Sequence, residues 1–294
     1  MTVTVTTKKK RSTRSPEARA AAQKDAHDKL AAQVETLTTS QGWKDYLRAA
    51  AAFPNYSINN ILLILAQNPD ATRVAGFQQW KKMGRQVIPN TGQKSLKIRG
   101  FRKYREDKED EDSPERTYYP LLSVFDISQT EVMDPELWAQ YDTPVTFVDR
   151  LDGDDSGIGD AVTEHLTGRG WTVGEEEMTD DSNGYANPEQ RAVHYRPGLS
   201  PAQRAKTLIH EAGHIECGHT ADLAEYARHR GRMECEAESV AYVVADAMGL
   251  DTSGYSVGYI AGWCGGDVQM VRESATVVLA AAKEILMSLG EGEK

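Results

Sequence analysis

Cysteine is scarce in this chain: Cys217, Cys235 and Cys264 are the only three among 294 residues. Three thiols form no disulfide framework, so the chain reads as cytoplasmic rather than as a stapled secreted domain. No apolar run approaches the length of a membrane span, and no membrane partner is expected. The stretch Met1 to Thr7 is polar and lacks the apolar centre of a secretory signal. Asp152-Gly153-Asp154-Asp155 superficially resembles a calcium loop, but the later glutamate is missing and the cluster reads as a turn. Internal repeats are absent.

Charge is plentiful but unevenly placed. Residues 1–105 hold 20 Lys and Arg against 6 Asp and Glu, a net +14, whereas residues 106–294 hold 14 against 38, a net −24, leaving −10 overall. A basic half joined to an acidic half implies two surfaces with different partners. The basic half is the candidate for a polyanion.

The acidic half contains His210-Glu211-Ala212-Gly213-His214. On a helix, histidines four apart share one face, one turn from each other, and can bind a single Zn²⁺. Glu211 then stands beside the metal as the candidate catalytic base. The flanks are helical: Ser200 can cap, Pro201 fits the first turn, and Ala205, Leu208, Ile209, Ala212 and Ile215 recur at helical spacing. Gly218 is a natural stop.

A third metal ligand is needed. A histidine six residues after His214 is ruled out, because position 220 is Thr; His219 is one residue out of register. The alternative is a glutamate from a following helix, and Met233 to Met248, stopped by Gly249, carries Glu234, Glu236 and Glu238. Glu234 and Glu238 share a face at i, i+4, while Glu236 points elsewhere. We assign Glu234 as ligand and Glu238 as acceptor of a hydrogen bond from a ligand histidine, fixing its tautomer. The reverse, or Glu236 as ligand, stays open. Cys217, on the zinc-helix face, reads as a small buried residue rather than a ligand.

These residues carry a resemblance. The segments Leu208 to His214 and Glu234 to Ala241, within about Val145 to Gly249, resemble gluzincin-type metallopeptidases, most closely the IrrE/ImmA-like group. That family has Asp or Asn four residues after its glutamate ligand, where this chain has Glu238. The resemblance implies a short β-sheet beside the zinc helix. Ala192-Val193-His194-Tyr195 is a plausible edge strand for pairing an extended peptide; His194 or Tyr195 could assist at an oxyanion there, but a packed or surface role is the stronger reading for each.

In the basic half, Lys8-Lys9-Lys10-Arg11 and Arg14 form a basic tail, read as disordered over residues 1–15. Pro16 to about Ala52 is Ala-rich and helical, and Ser57 to Gln67 is a second, core helix. Val74 to Lys82 opens a strand-like region. Lys94 to Tyr104 and Tyr118 to Ile127 read as a hairpin with an acidic tip between Glu106 and Glu115. Lys81, Lys82, Arg85, Lys94, Lys97, Arg99, Arg102, Lys103 and Arg105 lie among Phe77, Trp80, Phe101 and Tyr104. Cations interleaved with rings suit single-stranded nucleic acid, whose phosphates they track and whose bases stack.

Four further pieces carry a second resemblance: Asn55-Tyr56-Ser57-Ile58-Asn59-Asn60, Gly76-Phe77-Gln78-Gln79-Trp80, Gly84-Arg85-Gln86-Val87 and Val124 to Thr130. In that order they resemble the N-terminal single-stranded-DNA-binding domain of ArdC-type antirestriction proteins, related to TraC-like primases. Such proteins join this domain to a zincin-like one. The resemblance thus implies an α+β chain: a single-stranded-DNA-binding domain at 16–143, then a gluzincin-like zinc metallopeptidase domain at 144–294. It implies a protein of a plasmid, integrative element or phage that protects incoming single-stranded DNA, with a host restriction or regulatory protein as a possible substrate. Two other readings stay open: a DNA-binding scaffold with a structural zinc, and an IrrE-like peptidase cleaving a regulator.

Overall fold

The Ser15 hydroxyl accepts the Ala18 amide and Pro16 occupies the first helical turn, where its missing N–H costs nothing. Helix α1 (Pro16–Thr36) then ends in a turn, and Thr39 caps α2 (Ser40–Ala52), so the Ala-rich stretch is two helices. Helix α3 (Ile58–Leu65) buries six apolar side chains. The computed structural model describes residues 15–89, 94–105, 115–141, 157–250 and 260–290. The basic tail, most of the acidic tip, the 143/144 domain boundary, the Asp152 to Asp155 cluster and most of the Pro89 to Gly92 turn lie outside the described residues.

Next come β1 (Val74–Gly76), α4 (Phe77–Lys82), β2 (Arg85–Val87), β3 (Leu96–Arg99), β4 (Arg102–Arg105), β5 (Glu115–Tyr118), β6 (Leu121–Asp126), a 3-10 turn (Ile127–Gln129), β7 (Thr130–Val132) and α5 (Pro135–Ala139). Val74 to Lys82, expected to be strand-like, is therefore a three-residue strand running into a short helix. Strand β6 lies between β1 and β3, antiparallel to both; β2 pairs with β7 and β4 with β5. The hairpin forms but bends at Gly100, so its base belongs to the sheet and its outer part to a separate ladder.

The outer edge of β3 is closed by α3 and the residues after it. The Asn60 amide accepts the Arg99 N–H (2.8 Å) and donates to the Arg99 carbonyl (3.0 Å); Gln67 does the same at Lys97 (2.8 and 2.9 Å). Two side-chain amides thus satisfy backbone groups that an open edge would leave to a neighbouring strand.

The acidic half contributes α6 (Ile158–Gly168), β8 (Thr172–Glu175), β9 (Gly184–Asn187), β10 (Ala192–Tyr195), α7 (Pro201–Glu216), α8 (Leu223–Ala247), α9 (Ile260–Trp263) and α10 (Val268–Ser288). Strand β10 sits in the middle, parallel to β8 and antiparallel to β9. It is therefore not the edge strand that the sequence was read to place there. Helix α8 starts ten residues before the expected Met233 and has one non-helical residue, His229.

The two-domain α+β architecture shares packing across its halves. One apolar core runs from Leu37, Trp43, Leu47 and Leu62 through Leu208, Val240, Val244 and Val278. The Trp43 indole N–H donates to Ser239 Oγ on α8 (3.1 Å), and the Tyr46 hydroxyl donates to the Ala275 carbonyl on α10 (2.7 Å). Helix α2 is thereby bonded to the helix that carries the acidic triplet. Among the described residues, no helix is long and apolar enough to cross a membrane.

Candidate metal centre

Helix α7 forms as its sequence dictates, with Ser200 accepting the Gln203 amide and Pro201 in the first turn. Its buried stripe of Ala205, Leu208, Ile209 and Ala212 faces the core. Gly213 lets α8 approach: a Cβ there would lie 3.1 Å from the Ala237 carbonyl oxygen. That contact sets the acidic triplet of α8 against the histidines of α7.

Three ligand atoms converge. His210 Nε2 lies 3.1 Å from His214 Nε2 and 3.4 Å from Glu234 Oε2, and His214 Nε2 lies 3.6 Å from the same oxygen. Donors about 2.0–2.1 Å from a tetrahedral ion stand about 3.3 Å apart, so this triangle has the size of a metal tripod. Among the described residues, His210, His214 and Glu234 are the group whose spacing suits a metal ion. Glu238 Oε2 is 3.2 Å from His210 Nδ1, at the back of that ring. Burial alone would keep His210 neutral, but Glu234 and Glu238 outweigh it and raise its pKa to about 10. The two carboxylates thus favour positive charge at His210, whereas burial lowers the pKa of His214.

Glu211 lies in the same cleft, about 760 Å³ in volume, and is only 7 % exposed. Burial raises its carboxyl to about 7, against the opposing pull of His210 and of the Ala186 amide that it accepts. That amide comes from β9. The Arg196 N–H donates to the Asn183 carbonyl (2.8 Å), and β9 pairs with β10 in register. The alternation of an antiparallel ladder then turns the peptide groups of Gly184 and Ala186 away from β10. So β9, not β10, presents an edge beside the histidines. His194 and Tyr195 do not line the cleft; His194 Nδ1 pairs with Glu176 (3.0 Å) and its ring stacks on Tyr185.

Sequence reasoning missed two neighbours. The Tyr226 hydroxyl donates to Glu234, and its ring packs edge-on against His214. His219, dismissed as out of register, lies 3.0 Å from His214 Nδ1 and 2.9 Å from Glu236 Oε2. Gly218 explains this placement. Its φ of 77° is the left-handed end of α7, and the chain folds back so that the His219 N–H donates to the His214 carbonyl (2.9 Å). Glu236 faces His219 rather than the tripod, and Cys217 lies outside the tripod, its thiol pushed up by burial.

The basic half corrects one DNA-contact assignment and reorients another. Trp80 is fully buried against Met83 and Trp138, its indole N–H donated to the Phe125 carbonyl (2.9 Å), so it offers no face to a base. The Arg85 guanidinium is turned inward, bonded to Thr130 (2.7 and 3.1 Å) and stacked over Trp138. Lys81, Lys82, Lys94, Arg102 and Lys103 are exposed, and Lys97 and Arg99 are half-buried. The exposed rings are different ones: Phe101 (60 %) and Tyr119 (58 %), in edge contact, with Tyr118 opposite Arg102. They flank the cations of β3 and β4.

Comparison with known proteins matches both halves. Residues 20–127 match the N-terminal domain of anti-restriction factor ArdC, and residues 174–247 match the IrrE N-terminal-like domain. An uncharacterized protein of Bacillus anthracis is 26 % identical over 334 aligned positions, covering 96 % of this chain and 54 % of the relative. The chain thus spans about half the length of that curated relative. The metal-free crystal structure of the antirestriction ArdC protein from plasmid R388 is 20 % identical, with a TM-score of 0.51 over 81 % of this chain and 87 % of that one. At that identity the likeness is one of fold. The chain is an ArdC-like protein, in which an ArdC-type N-terminal domain precedes an IrrE-like domain.

Proposed function

We propose that this protein is an antirestriction factor that binds single-stranded DNA through its basic half and carries a zinc peptidase centre in its acidic half. The observation that carries the reading is the tripod of His210, His214 and Glu234 with Glu211 buried in the same cleft. A structural metal needs no such base. His210, His214 and Glu234 would hold the ion, which supplies Lewis-acid polarisation of a water and of a peptide carbonyl when bound.

The chain's own groups do the rest. Glu211, held by the Ala186 amide, is the carboxylate that takes a proton and returns it to the leaving amine. The Gly184 peptide group and the Ala186 carbonyl, on the open edge of β9, orient an extended polypeptide by main-chain hydrogen bonds. Arg102, Lys103, Phe101 and Tyr119 supply the cations and rings that single strands require.

Glu211→Gln keeps size and hydrogen bonding but removes the base. The variant should retain metal, fold and DNA binding and still protect incoming DNA, while cleavage of host proteins is lost. The assay pairs restriction of incoming DNA with mapping of new protein N-termini in cells carrying wild type or variant. Identical N-termini in both would remove the peptidase part of the proposal.

A further inference from the structure

His214 has two ring nitrogens, and the structure gives each a separate task. Its Nε2 belongs to the tripod, while its Nδ1 lies 3.0 Å from His219 Nδ1. His219 Nε2 lies 2.9 Å from Glu236 Oε2, and the Ser274 hydroxyl on α10 donates to the other oxygen of Glu236. All four side chains are buried.

We propose that His219 and Glu236 are positioning residues for the metal centre, forming a relay that fixes the tautomer and ring orientation of His214. The inference rests on the metal reading of the tripod but not on peptidase activity. An imidazole that gives its Nε2 lone pair to a metal carries its proton on Nδ1. That N–H can only donate, so His219 Nδ1 accepts. The proton of His219 is then on Nε2, donated to Glu236. One assignment satisfies the ring nitrogens of both histidines and both oxygens of Glu236, and it places that carboxylate, which also faces Arg232 Nε at 3.8 Å, behind the second ligand.

Helix geometry explains why an extra imidazole is needed. Glu238, at i+4 from Glu234, reaches His210 Nδ1 directly at 3.2 Å. Glu236 is two residues from Glu234, about 200° around the helix, and faces the turn after α7 and helix α10. The left-handed Gly218 folds His219 into the gap between that carboxylate and His214. Each ligand histidine is therefore backed by a carboxylate, one at first hand and one through a second ring.

Zinc affinity of the full chain, measured by competition with a chromogenic chelator, tests this. His219→Phe should lose about 10–100-fold in affinity. His219→Gln presents an amide oxygen and an amide N–H in the same order as the two ring nitrogens, and should recover most of the loss. Glu236→Gln keeps an acceptor for His219 but removes the charge, and should fall between them. Circular dichroism of the zinc-free proteins reports folding separately. If His219→Phe fails to fold, the ranking of wild type, His219→Gln and Glu236→Gln decides in its place. Equal affinity for wild type and Glu236→Gln, or no rescue of a folded His219→Phe by Gln, overturns the relay. A wild type that binds no zinc overturns the metal reading itself, and the relay with it.

Discussion

Gly213 on α7 and Ala237 on α8 approach so closely that a Cβ on Gly213 would stand 3.1 Å from the Ala237 carbonyl oxygen and 3.3 Å from its Cα. This contact holds the histidine helix against the acidic one. At Gly213→Ala, helix propensity gains about 1 kcal/mol and the crowding costs a similar amount, so stability should change little. Gly213→Val adds two methyl groups and loses that offset. It should cost about 1–3 kcal/mol and weaken zinc binding, because the helices part where Glu234 meets His210. Thermal unfolding with and without zinc measures both effects.

The exposed and buried rings of the basic half should respond oppositely. Phe101→Ala should weaken single-stranded DNA binding by about 1–3 kcal/mol and leave the melting temperature unchanged, since Phe101 is 60 % exposed. Trp80→Ala should cost about 3–5 kcal/mol of stability, because its indole fills the small core with Met83 and Trp138. Anisotropy with a labelled oligonucleotide and a melting curve separate the two. A stable Trp80→Ala protein that has lost only DNA affinity would restore Trp80 as a base platform.

Asp126 should set part of the acid limb of stability. Burial alone would raise its carboxyl, but the Ser128 hydroxyl and the amides of Ser128, Thr72 and Arg73 outweigh it, so the pKa falls below its ordinary value of 3.8. A depressed folded-state value contributes stability that is complete above 3.8 and lost as pH falls through the folded value. In Asp126→Asn an NH₂ replaces one acceptor. We expect a loss of about 1–3 kcal/mol at neutral pH and a shallower decline below pH about 4. Urea midpoints across the acid range check both.

The two halves should unfold together. The Trp43 and Tyr46 hydrogen bonds to α8 and α10 cross a core that both share. Tyr46→Phe should lower the stability by about 1 kcal/mol without splitting the transition. Two separated transitions in calorimetry of the wild type would contradict this.

The spacing of His210, His214, Glu234 and Glu238 was legible because helical periodicity is local: i, i+4 pairs share a face wherever the helix lies. The apolar run of α3 and the Ser200 cap were legible for the same reason. What escaped is non-local. Strand order decides that β9 rather than β10 is the edge beside the cleft, and the identity of a strand does not encode its neighbour. His219 reaches His214 only through the left-handed Gly218, which the sequence marked as a stop and not as a reversal. Trp80 lies on a six-residue helix, too short for its periodicity to show which ring is buried.

The central claim is that His210, His214 and Glu234 form one metal centre. Elemental analysis of the purified full chain, beside folded His210→Ala and Glu234→Ala variants, tests it most directly. The account predicts about one zinc per wild-type chain and a near-complete loss in each variant. Equal zinc in all three proteins, or none in the wild type after zinc loading, would contradict it.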